Sequence, residues 1–243
     1  MAQAAITALV TSVVAAPVAA AMVPGFRRAT IYDGQVSLDI PNDWREIPEI
    51  ELEDATFIAA EATGGRVVEI YKHGFRPADA VNDRGLPQLL VQIRESGRLR
   101  YGQFLELPPL GEFQDNAKRS YPQGVPPFVV GVEIDRVAFD RERFAILIEH
   151  SLSLRFIGQV KVLTAALLTE RGFLVFHLTD RSAQADASRA LLDRILGSVH
   201  LDPELEYHAR VTDRWPGLPF FAAAGVLTVI LVIFIVRRRR SQP

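Results

Sequence analysis

The fold is decided by residues 128–179, which read FVVGVEIDRVAFDRERFAILIEHSLSLRFIGQVKVLTAALLTERGFLVFHLT. Short charged or glycine-containing turns separate four runs rich in Val, Ile, Leu and Phe, at 128–139, 143–152, 154–166 and 172–179. Such residues favour strands, and short connections join antiparallel neighbours. This stretch therefore predicts a meander of antiparallel strands, and that sheet is the expected core.

Further strands and helices are predicted on both sides of the meander. Residues 36–40 alternate apolar and polar side chains before Pro41, as in a strand with one buried face. Residues 55–61 and 67–73 are predicted to form a hairpin, with Gly64-Gly65 in its turn. Helical spacing predicts an amphipathic helix at Leu86, Leu89, Leu90 and Ile93, and another at Leu191, Leu192, Ile195, Leu196 and Val199. The predicted fold class is α+β, an antiparallel sheet flanked by amphipathic helices.

Residues 101–128 contain five prolines and several aromatic residues, which predict an extended excursion with little regular structure. One interpretation is a partner-docking surface, because long loops often carry function. The other is an ordinary surface loop that its aromatic residues hold in place. The candidate docking residues are Tyr101, Phe104, Phe113, Tyr121 and Phe128.

The C-terminal part of the sequence predicts a membrane anchor. Residues 218–236, LPFFAAAGVLTVILVIFIV, contain no charged residue, and a helix of about 19 residues spans the hydrocarbon core of a bilayer. The following arginines, Arg237, Arg238, Arg239 and Arg240, favour the cytoplasmic side, so residues 237–243 form a predicted cytoplasmic basic tail. Everything before the helix is then expected outside the cytoplasm.

Two further features of this region concern the membrane. Small residues, namely Ala222, Ala223, Ala224 and Gly225, make one half of the helix thin, which suits either packing on another helix or lipid exposure of a plain anchor. Residues 204–217 are expected to be a polar juxtamembrane connector. Within it, Tyr207 and Trp215 are predicted to lie at the lipid interface.

The N-terminal residues 1–25 are apolar and rich in alanine, and small residues end the run. This pattern predicts a cleaved signal peptide, with an uncleaved first span as the alternative. The folded domain is then expected over residues 26–203. An uncleaved span with its N-terminus inside would still leave this domain outside the cytoplasm.

Charge and cysteine content exclude several function classes. All 29 acidic residues and 23 of the 27 basic ones lie between residues 27 and 216, which gives this region a net charge of −6. A mildly acidic domain has no basic stripe for phosphates, so nucleic acid is not an expected partner. Cysteine is absent, which excludes disulfides, thiolate catalysis and Cys-based metal sites.

No sequence motif indicates catalysis, a cofactor or a metal. The five histidines show no HExxH motif and no pair at i and i+4, and the GxSxG, GxGxxG and Walker patterns are missing. The best polar constellation is Glu69, Tyr71 and His73 on one strand face, near Glu149 and His150 if those strands are neighbours. A solvated strand face is the commoner explanation, and His177 is expected to be a hydrogen-bonded core residue.

Two segments resemble the PsbP-like superfamily. Residues 36–44, VSLDIPNDW, are a strand that ends in Pro before Trp, and residues 191–199, LLDRILGSV, follow a strand and a short polar turn. The resemblance covers about residues 31–203. It implies an α/β/α sandwich around an antiparallel sheet, and a non-enzymatic module that attaches to larger assemblies.

These observations together predict a bacterial envelope protein that crosses the cytoplasmic membrane once, with its main domain periplasmic or extracytoplasmic. Its expected role is that of an accessory or assembly subunit of a larger membrane protein complex, without enzymatic activity and without a cofactor. The bilayer and other membrane subunits are the expected partners. The alternatives are an extracytoplasmic domain that binds a small molecule or lipid and, third, an envelope hydrolase.

Overall fold

The computed structural model of the protein describes residues 25–62, 71–80, 85–120, 129–155 and 157–214. Three helices and ten strands are present in this part of the chain. In order, they are β1 (Phe26–Ile31), β2 (Val36–Pro41), β3 (Trp44–Glu46), α1 (Glu49–Ala62), β4 (His73–Pro77), β5 (Gln88–Glu95), α2 (Leu110–Ser120), β6 (Val129–Asp140), β7 (Ala145–Leu154), β8 (Gly158–Thr169), β9 (Gly172–Arg181), α3 (Ala185–Gly197) and β10 (His200–Leu201). Short 3-10 helices lie at Tyr101–Phe104, Ser182–Gln184 and Val211–Arg214.

Seven strands form the large sheet in the order β3-β4-β5-β9-β8-β7-β6, and every pairing is antiparallel. The predicted meander is confirmed, because β6, β7, β8 and β9 are neighbours in both sequence and space. The predicted α+β class is confirmed too. Strand β5 extends the sheet beyond β9, where Leu90 is opposite His177.

The first face of the large sheet carries α3 and a second sheet. This small sheet has the order β1-β2-β10, so the predicted strand at 36–40 is its central strand. Alternate residues of β8 and β9, such as Ala165 and Phe176, pack with the apolar sides of β2 and α3, and both are fully buried. Burying these side chains is the main contribution to folding on this face.

The opposite face is covered by α1, α2 and the 3-10 helix at Tyr101–Phe104. Here Ile148, Leu168 and Val175 point away from α3 and form a second apolar cluster. Next to β4, Leu52 of α1 is buried and lies close to Gly74. Helix α2 packs on β6, where the Gln114 side chain donates a hydrogen bond to the Ile134 carbonyl.

The prediction of an amphipathic helix at Leu86, Leu89, Leu90 and Ile93 is wrong, because Gln88–Glu95 is strand β5. This strand lies inside the sheet and is covered on both faces, so both sets of its side chains are buried. Leu89 and Val91 face α3, whereas Leu90 and Gln92 lie on the opposite face. Leu90, an apolar residue on the face that also carries Gln88 and Gln92, interrupts the alternation that normally identifies a strand.

The strand predicted at 55–61 is also wrong, because these residues belong to helix α1. Alanine and glutamate in AEA and EDA favour a helix over a strand, and acidic Glu49 and Glu51 lie at its N-terminal turn, where the helix dipole favours negative charge. The predicted hairpin therefore does not form. Residues 63–70, which include most of its second strand, lie outside the described residues.

The segment predicted to be a polar connector packs against the domain. Leu205 and Tyr207 are buried, and Glu206 forms an isolated bridge with Thr169. The prediction that Tyr207 lies at a lipid interface is therefore wrong, because its ring packs on Phe144. Within the ranges given above, the structure has no helix long and apolar enough to cross a bilayer. The predicted span at 218–236 and residues 1–24 lie outside those ranges.

Candidate functional site

A charged cluster fastens residues 205–214 to the large sheet, and we call it the C-terminal latch. It consists of Arg98, Glu170, Tyr207 and Asp213. The Arg98 guanidinium donates to both carboxylate oxygens of Asp213, at 2.8 and 2.6 Å, and to Glu170 Oε2 at 2.8 Å. It also donates to the carbonyl of His208 at 2.8 Å. Four hydrogen bonds from one planar guanidinium thus join the segment 205–214 to Glu170 of the large sheet.

Distant parts of the chain supply the latch. Arg98 follows β5, Glu170 lies in the turn between β8 and β9, and Asp213 lies in the 3-10 helix Val211–Arg214. Asp213 is only 1% exposed. The hydrogen bonds from Arg98 lower its pKa to about 2, against the opposing effect of burial. The carboxylate is therefore charged at neutral pH, and its ion pair with Arg98 is largely desolvated.

Close backbone contact completes the latch. The Tyr101 N–H donates to the Tyr207 hydroxyl at 3.1 Å, and the Arg98 guanidinium lies 4.9 Å from the centre of the Tyr207 ring. A Cβ atom added at Gly102 would meet the carbonyl of Arg214, and it would lie 2.6 Å from that of Asp213. Only glycine allows the Tyr101–Phe104 helix to approach the Val211–Arg214 helix this closely.

The candidate docking residues that the structure describes lie mostly inside the molecule. Phe104 is 7% exposed, and its ring packs on Phe139 and Phe173. Tyr101 and Phe113 are partly buried against the same cluster. These contacts match the interpretation in which aromatic residues hold the 101–128 segment in place, and α2 makes part of that segment regular.

Several other candidate residues lie outside the described residues, and their roles stay predictions. They are Tyr121 and Phe128 of the docking set, Trp215, the small residues Ala222, Ala223, Ala224 and Gly225, and the arginines Arg237, Arg238, Arg239 and Arg240.

An open cleft of about 1020 Å³ lies between α1 and the start of β4. Inside it, the Tyr32 N–H donates to His73 Nε2 at 3.1 Å, and His73 Nδ1 lies 3.1 Å from Glu46 Oε1. Both ring nitrogens are therefore engaged, which leaves neither free to accept a proton from a substrate. Four carboxylates also line the cleft, namely Asp33, Glu46, Glu49 and Glu53. Lys72 lies among the lining residues too.

The polar constellation expected from the sequence does not assemble. Strands β4 and β7 are separated by β5, β9 and β8, so His73 lies far from Glu149 and His150 along the sheet. Glu149 binds Arg189 of α3, whereas His150 is buried, and Glu69 lies outside the described residues. No group of three potential ligands that could hold a metal occurs in the described ranges.

His177 is a hydrogen-bonded core residue, as expected. Its Nδ1 lies 3.0 Å from Thr164 Oγ1, and its Nε2 lies 3.3 Å from Gln92 Nε2. Burial lowers the pKa of both His177 and His150 to about 3, so both are neutral at physiological pH. On the same face of the sheet, Gln88 Nε2 and Thr179 Oγ1 are buried and have no hydrogen-bond partner.

The hydrolase alternative requires a serine close to a base. Ser151 Oγ donates to Asp135 at 2.9 Å, and Lys161 Nζ donates to both Ser151 and Asp135, at 2.9 and 3.0 Å. A lysine that acts as a general base needs a free lone pair, and an ammonium group that donates to a carboxylate has none. The contacts are those of a salt bridge joined by a serine.

Comparisons with known proteins concern the fold. No family model and no curated protein match the chain. The solution structure of cyanobacterial PsbP (CyanoP) from Synechocystis sp. PCC 6803 is similar, with a TM-score of 0.42 and 13% identity over 77% of this chain and 99% of that one. A crystal structure of a protein of unknown function from Pseudomonas aeruginosa has a TM-score of 0.33 and 8% identity over 73% of this chain and 98% of that one. Neither similarity bears on function, and membership of the PsbP-like superfamily stays a prediction.

Proposed function

We propose that the protein is a membrane-anchored accessory or assembly subunit of a larger membrane protein complex, and that its extracytoplasmic domain does the docking. One observation carries the proposal: the C-terminal latch holds residues 205–214 on the domain, directly before the predicted membrane helix. A domain on a flexible tether samples many orientations. The latch leaves only residues 215–217 between the domain and the predicted helix, and a tether this short restricts the orientations of the domain.

A restricted orientation favours binding through a weak contact. Anchoring to the same membrane raises the effective concentration of the domain near its partner, often to about millimolar levels for short linkers. The latch adds to this effect, because less orientational freedom is lost on binding when the domain is already positioned. An assembly subunit benefits from both effects, whereas a freely diffusing binding protein needs neither.

Co-purification from native membranes tests the proposal. The tagged full chain is extracted in mild detergent, and the proteins that accompany it are identified by mass spectrometry. We expect a stoichiometric set of membrane subunits that is depleted for Arg98→Gln, which breaks the latch. Arg171→Gln is the matched control, because Arg171 belongs to an exposed ion pair with Glu204. Recovery of the protein alone in every preparation would refute the accessory role.

A second candidate function, small-molecule binding, is favoured by the cleft at Tyr32 and His73. Its volume of about 1020 Å³ is at the upper end of ligand pockets, which typically measure about 300–1,000 Å³. The carboxylates that line it favour a small cation over the lipid or hydrophobic metabolite considered from the sequence. Thermal unfolding with and without spermidine tests this function. A stabilisation that Glu46→Gln abolishes and Glu204→Gln retains would support it.

A further inference from the structure

The Val211–Arg214 helix carries a strongly exposed apolar residue, and exposed arginines lie near it in sequence and directly before the 3-10 helix that contacts it. We infer that the exposed side of the Val211–Arg214 helix lies on the extracytoplasmic surface of the bilayer, with the Val211 side chain in the headgroup region. We call it the membrane face, and define it by Arg100, Arg210, Val211 and Arg214. The inference rests on the proposed function, because it requires the membrane helix that the sequence predicts after Trp215.

Val211 is the first observation. Its side chain is 91% exposed, whereas the other exposed large hydrophobic residues in the described ranges, Ile50, Leu110 and Val130, reach 65%, 39% and 67%. A nearly fully exposed valine gains nothing from folding. Transfer of such a side chain out of water is favourable, and a bilayer surface offers part of that transfer.

Charge is the second observation. Arg210 directly precedes Val211, and Arg214 follows it three residues later. Arg100 directly precedes the Tyr101–Phe104 helix, which contacts the Val211–Arg214 helix. All three arginines are exposed. Arg210 also pairs with Glu170, but its side chain remains 63% exposed. The nearest acidic residue in sequence, Asp213, is buried and neutralised by Arg98. A basic face on a domain of net negative charge is complementary to anionic lipid headgroups.

Distance is the third observation. Three residues separate Arg214 from the predicted start of the membrane helix at Leu218. Four Cα–Cα steps of 3.8 Å span at most about 15 Å, and the headgroup region on each side of a bilayer is about 5–8 Å thick. The latch prevents residues 205–214 from extending this reach. The membrane face is therefore held at or very near the lipid surface.

Site-specific labelling of the full chain tests the inference, and the absence of native cysteine makes each label unique. Val211→Cys, Ile50→Cys and Val130→Cys are labelled with an environment-sensitive fluorophore. The proteins are reconstituted in vesicles of phosphatidylethanolamine and phosphatidylglycerol that contain a headgroup spin label as quencher. We expect a blue-shifted emission and several-fold stronger quenching at position 211 than at the two control positions. Replacing phosphatidylglycerol by phosphatidylcholine should weaken the difference.

The outcomes separate the inference from the proposed function. Release of the chain from native membranes by alkaline carbonate would refute the anchor, and the inference with it. An integral chain whose label at 211 is as exposed to water as the label at 50 would refute the inference alone. A label that is shielded in native membranes but not in the vesicles would assign the face to a protein partner, and would also overturn the inference.

Discussion

Removal of the charge of Asp213 should weaken the latch and destabilise the domain in a pH-dependent way. Asp213→Asn keeps the size of the side chain but removes the carboxylate that Arg98 holds at 2.8 and 2.6 Å. The pKa of Asp213 is lowered from 3.8 to about 2, which corresponds to about 2 kcal/mol of folding free energy above pH 5. A carboxylate whose pKa is lowered by folding stabilises the fold at any pH above its pKa in the unfolded chain. This contribution is lost as the pH falls towards 2.

Urea unfolding of the full chain in mild detergent measures this effect. Trp215→Phe in every variant leaves Trp44, which is 5% exposed, as the fluorescence probe. A loss of about 2 kcal/mol at an m-value of about 2 kcal/mol/M lowers the midpoint by about 1 M at pH 7. The difference between parent and variant should shrink steadily between pH 5 and pH 2.

Glu204→Gln provides the control, because Glu204 is 78% exposed in its pair with Arg171. Exposed pairs contribute about 0–1 kcal/mol, so its midpoint should move little. The reasoning fails if Asp213→Asn unfolds at the same urea concentration as its parent at pH 7. It also fails if the difference persists undiminished at pH 2, since the charge of Asp213 would then not be its source.

Three further predictions concern buried groups. The pKa of His177 is lowered from 6.5 to about 3, so its neutral form stabilises the fold fully above pH 6.5, and this contribution decreases as the pH falls. Between pH 7 and pH 5, the free energy of unfolding of His177→Gln, measured with urea, should therefore fall by about 2 kcal/mol less than that of the parent chain. Gly102→Ala should destabilise by about 1–3 kcal/mol through its clash with the Arg214 carbonyl, whereas Gly111→Ala, with open space around it, should not; equal melting temperatures would contradict this. Thr179→Val should be neutral or stabilising because its buried hydroxyl has no partner, and a loss above about 1 kcal/mol would instead indicate a bound water or ligand.

Sequence patterns predicted the part of the fold in which neighbours in sequence are neighbours in space. The meander β6–β9 needs only short turns, and the alternation of β7 between buried and half-buried residues is almost perfect. Helix α3 was predicted from its own period, because one stripe of apolar residues, including Leu192 and Ile195, is buried in the cluster that α3 forms with both sheets. Where one face of a helix or strand is buried and the other is not, the period of its apolar residues shows which of the two it is.

Patterns failed where burial is two-sided. In and just before β5, Leu86, Leu89, Leu90 and Ile93 satisfy a helical period because Leu90 is buried on the opposite face from Leu89 and Ile93. Nothing in the local sequence shows that β9 and β4 lie on either side of it. Conversely, the residues of α1 lack a clear apolar stripe, so their helix propensity, and not their period, was the available signal.

The latch could not be predicted from local sequence. Arg98 and Asp213 are 115 residues apart, and Arg98 and Glu170 are 72 apart. A charged residue in a polar segment normally indicates solvent exposure, which is why residues 204–217 were expected to be a connector. The available signal was weak: Leu205 and Tyr207 alternate with Glu206, as in a strand with one buried face.

Strand β6, at one edge of the large sheet, has a consequence for how the protein meets other chains. Its pairing with β7 shifts register at Val129/Gly131 and again at Ile134/Arg136, and Gln114 of α2 occupies the Ile134 carbonyl. Straight edges with unpaired backbone groups recruit strands from other molecules, and irregular or covered edges do not. Continuous strand addition along β6 is therefore blocked. Copies of the chain should therefore not associate edge to edge along β6, and a partner at this edge must bind through side chains.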